Sequence, residues 1–455
     1  MHSSFPKPPM STTSPPQYPL EPTYSRTPSY QAEPRSHEQR LALNIRHRPR
    51  HSGDWTKKKH DATLRLSAQE DKIDLPVYGT AGVVEGVVEI TKTTHVSTVE
   101  VKVEGQLTLK EMGEGGHSTT SLCLDTVVLY IKDSNNTVCP SKLNFAFTLP
   151  TQFQYNGKNY PLPPSHSIKL SGLPGFYASI EYSVTAVINK PGSVPSIVPL
   201  VKSKRLGVNI GSTTVSTPFI YYPRTRPAAR VPSPLQPGDG GFLERPDWKT
   251  YQYVLKTLPT KSNNAQDINI RLYLPPSRIF CSTESIPFHI TFESNAYSLA
   301  AFLPYGPTTG KAPATKIQLM RQSTVDVREA FAAAHKNEKT DIWRVDQIGE
   351  GVFRHAGDGA TWMSFSGEIA IEPPKVMGFD VVGLSVTDHI LFTVTPPDVS
   401  KASFFSLRKV VPVRLTTDPY TEDGSGVNLT IPRRNTDTVS IPPSPDSLSD
   451  DHTRF

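Results

Sequence analysis

A short proline–tyrosine motif, Pro15-Pro16-Gln17-Tyr18, is the clearest candidate for recognition chemistry in this chain. Adjacent prolines favour a polyproline II helix, which loses little conformational entropy when it docks in an aromatic-lined groove. The tyrosine adds one large side chain for a neighbouring pocket. The motif therefore predicts binding to a partner domain, and a chance match in a proline-rich segment is the competing interpretation.

Two degenerate Pro-x-Tyr copies follow the motif and end at Tyr24 and Tyr30. The three tyrosines are six residues apart, which is two turns of polyproline II, or about 19 Å. They would then share one face of an extended segment. We interpret Tyr24 and Tyr30 as candidate auxiliary contacts beside the main motif.

A basic run follows the proline-rich start and accounts for the charge of the whole chain. Eight basic and two acidic residues lie between positions 35 and 59, and the formal net charge is +6. A solvated arm, an arm attracted to an anionic membrane surface, and a nucleic-acid-binding arm are three interpretations of this run. No aromatic residues interleave the arginines, which disfavours nucleic acid. The candidate membrane residues are Arg46, Arg48, Arg50, Lys57, Lys58 and Lys59.

Catalytic motifs are missing from the sequence. It has no G-x-S-x-G, H-E-x-x-H, P-loop or G-x-G-x-x-G pattern. Three widely spaced cysteines without a C-x-x-C indicate a reducing compartment and no zinc ribbon. His289 is predicted to face solvent from a strand. We expect no enzymatic activity, no cofactor and no metal site.

The elements that must carry these motifs are β-strands. Apolar residues alternate with polar ones over residues 99–109, 143–149, 180–188 and 268–274. A period of two places one face of each strand against a core and the other in water. Asn156-Gly157 is a hairpin turn signal. The only good helical candidate is an alanine-rich stretch, residues 325–336.

Composition divides the chain into five parts. Residues 1–72 are predicted to be a disordered tail, proline-rich and then basic, because they contain few apolar clusters. Two β-sandwiches are predicted at 73–222 and 248–417, joined by a linker at 223–247. Residues 418–455 are predicted to be a second disordered tail. The predicted fold class is all-β, with two consecutive immunoglobulin-like sandwiches.

The chain resembles the arrestin family, and in particular its α-arrestin branch. Residues 78–88 resemble the first strands of the family, and residues 163–186 resemble the late segment of its N-terminal domain. Residues 383–386 and 411–415 resemble the end of its C-terminal domain. The resemblance covers roughly residues 73–417 and implies two arrestin-type sandwiches.

The resemblance implies a cytoplasmic adaptor for membrane proteins. Such a protein binds the cytoplasmic tails of membrane transporters or receptors, at the plasma membrane or endosomes. Pro15, Pro16 and Tyr18 would bind a WW domain of a HECT-type ubiquitin ligase, although many α-arrestins carry this motif in the C-terminal tail instead. A retromer-like sorting subunit that recruits no ligase is the alternative, and a hydrolase built on a sandwich scaffold is a third.

Overall fold

The computed structural model describes residues 38–41, 53–70, 72–112, 116–190, 212–258, 264–309, 314–327, 342–396 and 403–422. Almost every element in these ranges is a β-strand. The predicted all-β fold class is therefore confirmed. The described ranges contain no helix long and apolar enough to cross a membrane.

The first half of the chain forms two sheets that pack face to face. One has the order β2-β3-β5-β8, and the other has the order β4-β13-β12-β6-β7, with β11 beside β12. The strands of the two sheets are β2 (Gly53–Lys59), β3 (Ala62–Gln69), β4 (Val77–Tyr78), β5 (Val83–Ile90), β6 (Thr98–Met112), β7 (His117–Ile131), β8 (Lys142–Thr148), β11 (His166–Leu170), β12 (Gly175–Asn189) and β13 (Ser212–Tyr221). Two short pairs lie outside them: β1 (Glu38–Leu41) with β14 (Arg224–Pro227), and β9 (Gln152–Tyr155) with β10 (Lys158–Pro161).

The alternation in the sequence places the core of this first sandwich correctly. Val99, Val101 and Val103 of β6 are each at most 2% exposed. The neighbouring strand β12 contributes Ile180, Tyr182 and Val184, all at most 1% exposed. Burying each large aliphatic side chain stabilises the fold by roughly 1.5–3 kcal/mol, so these two long strands hold the sheets together. The predicted inward face is confirmed.

The Asn156-Gly157 turn also forms as predicted. It joins β9 and β10, which pair in register from Tyr155 and Lys158 outward. Both turn residues have positive φ, +48° for Asn156 and +76° for Gly157. Positive φ at both central positions is the requirement of a two-residue type I′ hairpin, and this explains the choice of Asn-Gly.

The second half forms one ten-stranded sheet that curls around its own core. Its order is β17-β18-β20-β23-β22-β21-β25-β26-β19, with β24 beside β25. Its ten strands are β17 (Lys249–Leu255), β18 (Ile268–Leu274), β19 (Ile279–Cys281), β20 (Ile286–Glu293), β21 (Thr315–Val325), β22 (Ile342–Asp358), β23 (Trp362–Ile371), β24 (Phe379–Val381), β25 (Leu384–Val394) and β26 (Leu407–Thr416). A separate two-stranded pair precedes them, β15 (Pro237–Gly238) and β16 (Gly241–Phe242). Strands from both ends of this order contribute to one apolar cluster. The predicted inward residues of β18 (Ile268, Ile270, Leu272 and Leu274) are all fully buried.

The one α-helix within the described ranges lies where the sequence did not predict it. Helix α1 (Ala296–Phe302) begins after Asn295, whose side chain accepts a hydrogen bond from the backbone N–H of Ser298. This is an N-cap that satisfies a free helix donor. A helix was predicted at 325–336. Val325 is instead the last residue of β21, and most of the other positions lie outside the described residues.

The first sandwich begins earlier than predicted. Residues 53–69, assigned from the sequence to a disordered tail, form the hairpin β2–β3 at the edge of the four-stranded sheet. Trp55 packs against the core, and Ala62, Leu64 and Leu66 are buried in it. These four apolar side chains provide enough burial to order a segment whose composition predicted disorder.

The predicted linker and the start of the predicted C-terminal tail are also packed. Within 223–247, Leu235 and Phe242 are buried in a cluster with Trp248 and Tyr273. Residues 418–422 are also described, and the Asp418 side chain pairs with Arg224. Both segments therefore belong to the folded body, because their side chains find partners on it.

Candidate functional site

The residues of the proline–tyrosine motif lie outside the described residues. This holds for Pro15, Pro16 and Tyr18 and for the auxiliary positions Tyr24 and Tyr30. Arg46, Arg48 and Arg50 of the basic run also lie outside them. Their roles therefore remain predictions.

The basic run does not form one continuous arm. Lys57, Lys58 and Lys59 are exposed on strand β2, and this strand starts at Gly53. A strand rises about 3.3 Å per residue, so Lys59 lies roughly 20 Å from the point where the chain enters the sheet. The three lysines are thus fixed on the sandwich, at the end of β2 away from Gly53.

The two halves of the molecule share an apolar junction. Side chains from the second half join the core cluster of the first sandwich. They come from the ends of β21 and β25, from β24 and from the segments beside them: Val325, Val327, Phe379, Val381, Val382, Leu384 and Val386. Because these residues are buried on both sides, the two sandwiches form one continuous body.

A buried ion pair lies at the centre of the second sheet near this junction. Arg321 on β21 and Asp388 on β25 are direct cross-strand partners. The guanidinium Nε donates to Asp388 Oδ1 at 2.7 Å, and Nη2 donates to Oδ2 at 2.8 Å. Nη1 donates to the carbonyl of Val376 at 2.6 Å. Arg321 is 8% exposed and Asp388 is 1% exposed, so the bidentate pair is shielded from water.

His166 is an uncharged histidine at the same junction. Burial, and secondarily the positive charge of Arg321, lowers the pKa of His166 to about 4. Its ring lies edge-on to Phe379, with centroids 5.4 Å apart. Its Nε2 has no hydrogen-bond partner among the described residues. Protonation of this ring would place a second cation beside Arg321, which disfavours the charged form.

Polar contacts fasten the rest of the junction. The carboxylate of Glu111 accepts from the backbone N–H of Val327 at 3.3 Å. Arg344 donates to the carbonyl of Lys169 at 3.1 Å. At a separate point Arg224 Nε donates to Asp418 Oδ2 at 3.0 Å. These contacts join residues 175 to 216 positions apart, so they hold the two halves in one arrangement.

A shallow cleft opens along the junction. It is lined by Pro163, Pro164 and Tyr221 from the first half and by Met377, Phe379 and Arg414 from the second. The lining is mainly apolar, and it includes neither a nucleophile–base pair nor a pair of carboxylates. Its composition suits packing or peptide contact better than catalysis.

The prediction for His289 is wrong. This residue is 3% exposed. Its Nε2 accepts from the backbone N–H of Leu235 at 3.0 Å, and Nδ1 lies 2.9 Å from Ser366 Oγ. Burial lowers its pKa to about 4. The physical reason is that residues 235–248 cover the outer face of β20, which the sequence pattern left open to solvent.

The described residues contain no cluster of three or more His, Cys, Asp or Glu side chains able to hold a metal ion. The three cysteines are free thiols. Burial raises the pKa of Cys123 to about 11 and raises those of Cys139 and Cys281. Thiols with raised pKa values are poor nucleophiles at neutral pH, so these cysteines are structural.

Sequence reasoning missed the Arg321–Asp388 pair, although a signal existed. Arg321 falls in the inward phase of β21, with Leu319 and Val325, and Asp388 falls in the inward phase of β25. Opposite charges in the inward phase of two strands indicate a buried pair, because an isolated buried charge is too costly. The pairing of the two strands could not be deduced from either pattern alone.

No family model matches the chain, and no curated protein matches it in sequence.

Proposed function

We propose that this protein is a non-enzymatic trafficking adaptor that binds the cytoplasmic parts of membrane cargo and recruits a WW-domain ubiquitin ligase. The observation that carries the proposal is Pro15-Pro16-Gln17-Tyr18, a ligand motif at the start of a chain whose body is a two-part β-sandwich. Ubiquitination and endocytosis of the cargo would follow from bringing the ligase to it. Cargo binding rests on the resemblance of the chain to arrestins.

The folded body limits how far the motif reaches. Strand β1 begins at Glu38 and pairs with β14 next to the junction. Tyr18 is 20 residues before Glu38, and a fully extended chain spans at most about 3.5 Å per residue. The motif therefore acts within about 70 Å of the junction. A tether of this length keeps a bound ligase close to cargo held by the same body, which raises its effective concentration there.

The expected affinity of the motif is modest. A single short peptide buries little surface, so we expect a dissociation constant in the micromolar range or weaker. Tyr24 and Tyr30 would increase capture if the ligase offers several WW domains. Membrane cargo and an anionic membrane surface are the other proposed partners, and nucleic acid is not.

Affinity capture of a HECT-type ligase by the full chain tests the proposal. Tyr18→Ala should remove most capture and ligase-dependent ubiquitination. Gln17→Ala is the matched control, because the third position of the motif is free. Full capture by Tyr18→Ala would overturn ligase recruitment and favour the alternative, a sorting subunit without a ligase.

A further inference from the structure

One end of the first sandwich collects the ends of nearly all its long strands. In the four-stranded sheet, Lys59 lies opposite Ala62, and Ala62 lies opposite Ile90. In the other sheet, Asn189 lies opposite both Ser212 and Thr98, and Thr98 lies opposite Ile131. The two rows belong to the same end, because Lys190 beside Asn189 bonds Asp61 beside Ala62 at 2.9 Å. We call this surface the basic end.

The basic end is rich in lysine. Among the described residues it has seven lysines and four carboxylates. Three of the carboxylates are already engaged: Asp61 with Lys190, Glu89 with Lys142 at 3.7 Å and with Arg65, and Asp133 with two backbone N–H groups of its own turn. The fourth, Glu100, is partly buried on β6. The lysines are Lys57, Lys58, Lys59, Lys92, Lys132, Lys142 and Lys190.

Several of these lysines are left without an acidic partner. Lys57, Lys58, Lys59 and Lys132 are exposed and form no ion pair with another described residue. Lys92 is exposed as well and contributes a positive field at Asp61. The basic end is therefore a surface on which positive charge predominates.

Two exposed aliphatic side chains belong to the end of β7 and the β7–β8 loop at this end of the sandwich. Ile131, at the end of β7, is 55% exposed, and Val138, in the loop before β8, is 75% exposed. The loop is held in place, because Tyr130 donates its hydroxyl proton to the carbonyl of Asn136 at 2.8 Å. An exposed apolar tip on a fixed loop, between Lys132 and Lys142 in the sequence, has the composition of a surface that enters a lipid headgroup layer.

We propose that the basic end docks on an anionic membrane surface, with the lysines on lipid headgroups and Ile131 and Val138 at the acyl boundary. This deepens the proposed adaptor function, on which it rests for the presence of a membrane. The exposed aliphatic tips favour lipid over nucleic acid or an acidic peptide, since neither of those gains from apolar side chains at the tip of a loop. Within the described part of this end, no tryptophan, tyrosine or phenylalanine is fully exposed beside the lysines to stack on bases.

The proposal also fixes an orientation. Strand β6 runs from Thr98 at the basic end to Met112 near the junction, and its 15 residues span about 45–50 Å. With the basic end on the membrane, the junction and the second sandwich stand away from the lipid by about that distance. A cargo tail that reaches the junction must then extend this far from the membrane.

Sedimentation of the full chain with vesicles tests the proposal. The vesicles are phosphatidylcholine alone or phosphatidylcholine with 30 mol% phosphatidylserine. The site variant changes four lysines to glutamine (Lys58, Lys59, Lys92 and Lys132). The matched control makes the same change at the opposite end of the sandwich or on the second half (Lys110, Lys158, Lys169 and Lys375), so that the net charge of the two variants is equal.

We expect the wild type to bind the anionic vesicles and not the neutral ones, with binding that falls steeply as salt rises. The site variant should lose at least tenfold in affinity, since each basic residue near the surface contributes several-fold, and the control should stay within twofold. Equal losses in both variants, binding to neutral vesicles alone, or no binding by the wild type would overturn the proposal.

A second pair of variants tests the apolar contact. Val138→Ser should weaken vesicle binding several-fold, whereas Val352→Ser, at a site 59% exposed on β22, should not. No difference between the two would overturn insertion. Ligase capture by the four-lysine variant separates this proposal from the proposed function, because capture depends on Tyr18 and should be unchanged. Loss of capture with normal vesicle binding in Tyr18→Ala would leave the membrane proposal intact.

Discussion

Removal of one partner from the Arg321–Asp388 pair should be among the most costly single changes in the molecule. Asp388→Ala leaves the Arg321 guanidinium buried, with two of its three hydrogen bonds lost and only the bond to Val376 remaining. Breaking a buried pair in this way costs about 3–5 kcal/mol, because the remaining charge has neither water nor a counterion. The cost should appear as a lower urea midpoint for unfolding of the second sandwich.

Tryptophan fluorescence reports this transition, because three of the four tryptophans lie in the second half of the chain (Trp248, Trp343 and Trp362). The matched control is Glu422→Ala, which removes an exposed ion pair to Arg230 at 3.9 Å and should leave the midpoint unchanged. Replacing both Arg321 and Asp388 with leucine should recover much of the loss, since two apolar groups need no partner. A loss below about 1 kcal/mol for Asp388→Ala would refute the reasoning that the pair is desolvated.

Three further predictions concern stability. His166 and His289 have pKa values of about 4 in the folded protein and about 6.5 when unfolded, so the unfolded state takes up protons first as the pH falls. Their contribution to stability is therefore complete above about pH 6.5 and is lost towards pH 4, by up to about 3 kcal/mol per histidine. Urea midpoints measured at pH 7 and at pH 5 should show this loss. Val101→Glu should cost several kcal/mol in the same assay, because Val101 is fully buried and the carboxylate would have no partner there. Gly105→Ala should cost about 1–3 kcal/mol, because the new Cβ would lie 2.5 Å from the buried ring of Tyr182; a neutral result would show that the ring can move.

The sequence predicted the strands whose two faces differ. Alternation marked β6, β8, β12 and β18, and the predicted inward face of each strand is buried. The outer face of β18 is only partly wet, because Tyr273 is buried in the cluster with Leu235, Phe242 and Trp248. Strand β2 was not predicted, because it lies at a sheet edge and shows no alternating pattern. A single inward tryptophan, Trp55, is enough to pack this edge strand against the core. The sequence also did not predict that both faces of β20 are buried. Residues 235–248 cover its outer face, and the pattern within the strand cannot show this.

The candidate sites were predictable to different degrees. The lysines of β2 were found as a charge run, but their placement depends on a hairpin that puts them at the same end of the sandwich as Lys92 and Lys132, distant in sequence. The Arg321–Asp388 pair depends likewise on which strands become neighbours. Which strands pair is a property of the whole fold. The pattern within one strand can therefore indicate which residues belong to a site, but it does not show which of them come together.

The central claim is that Pro15-Pro16-Gln17-Tyr18 binds a WW domain, and a calorimetric titration of the full chain with a tandem WW array from a HECT-type ligase tests it most directly. We predict binding in the micromolar range or weaker for the wild type and for Gln17→Ala, and loss of most of the binding heat for Tyr18→Ala with the urea midpoint unchanged. Replacing Tyr24 and Tyr30 as well should remove what remains. Equal affinity for wild type and Tyr18→Ala, or no binding by the wild type, would contradict the account.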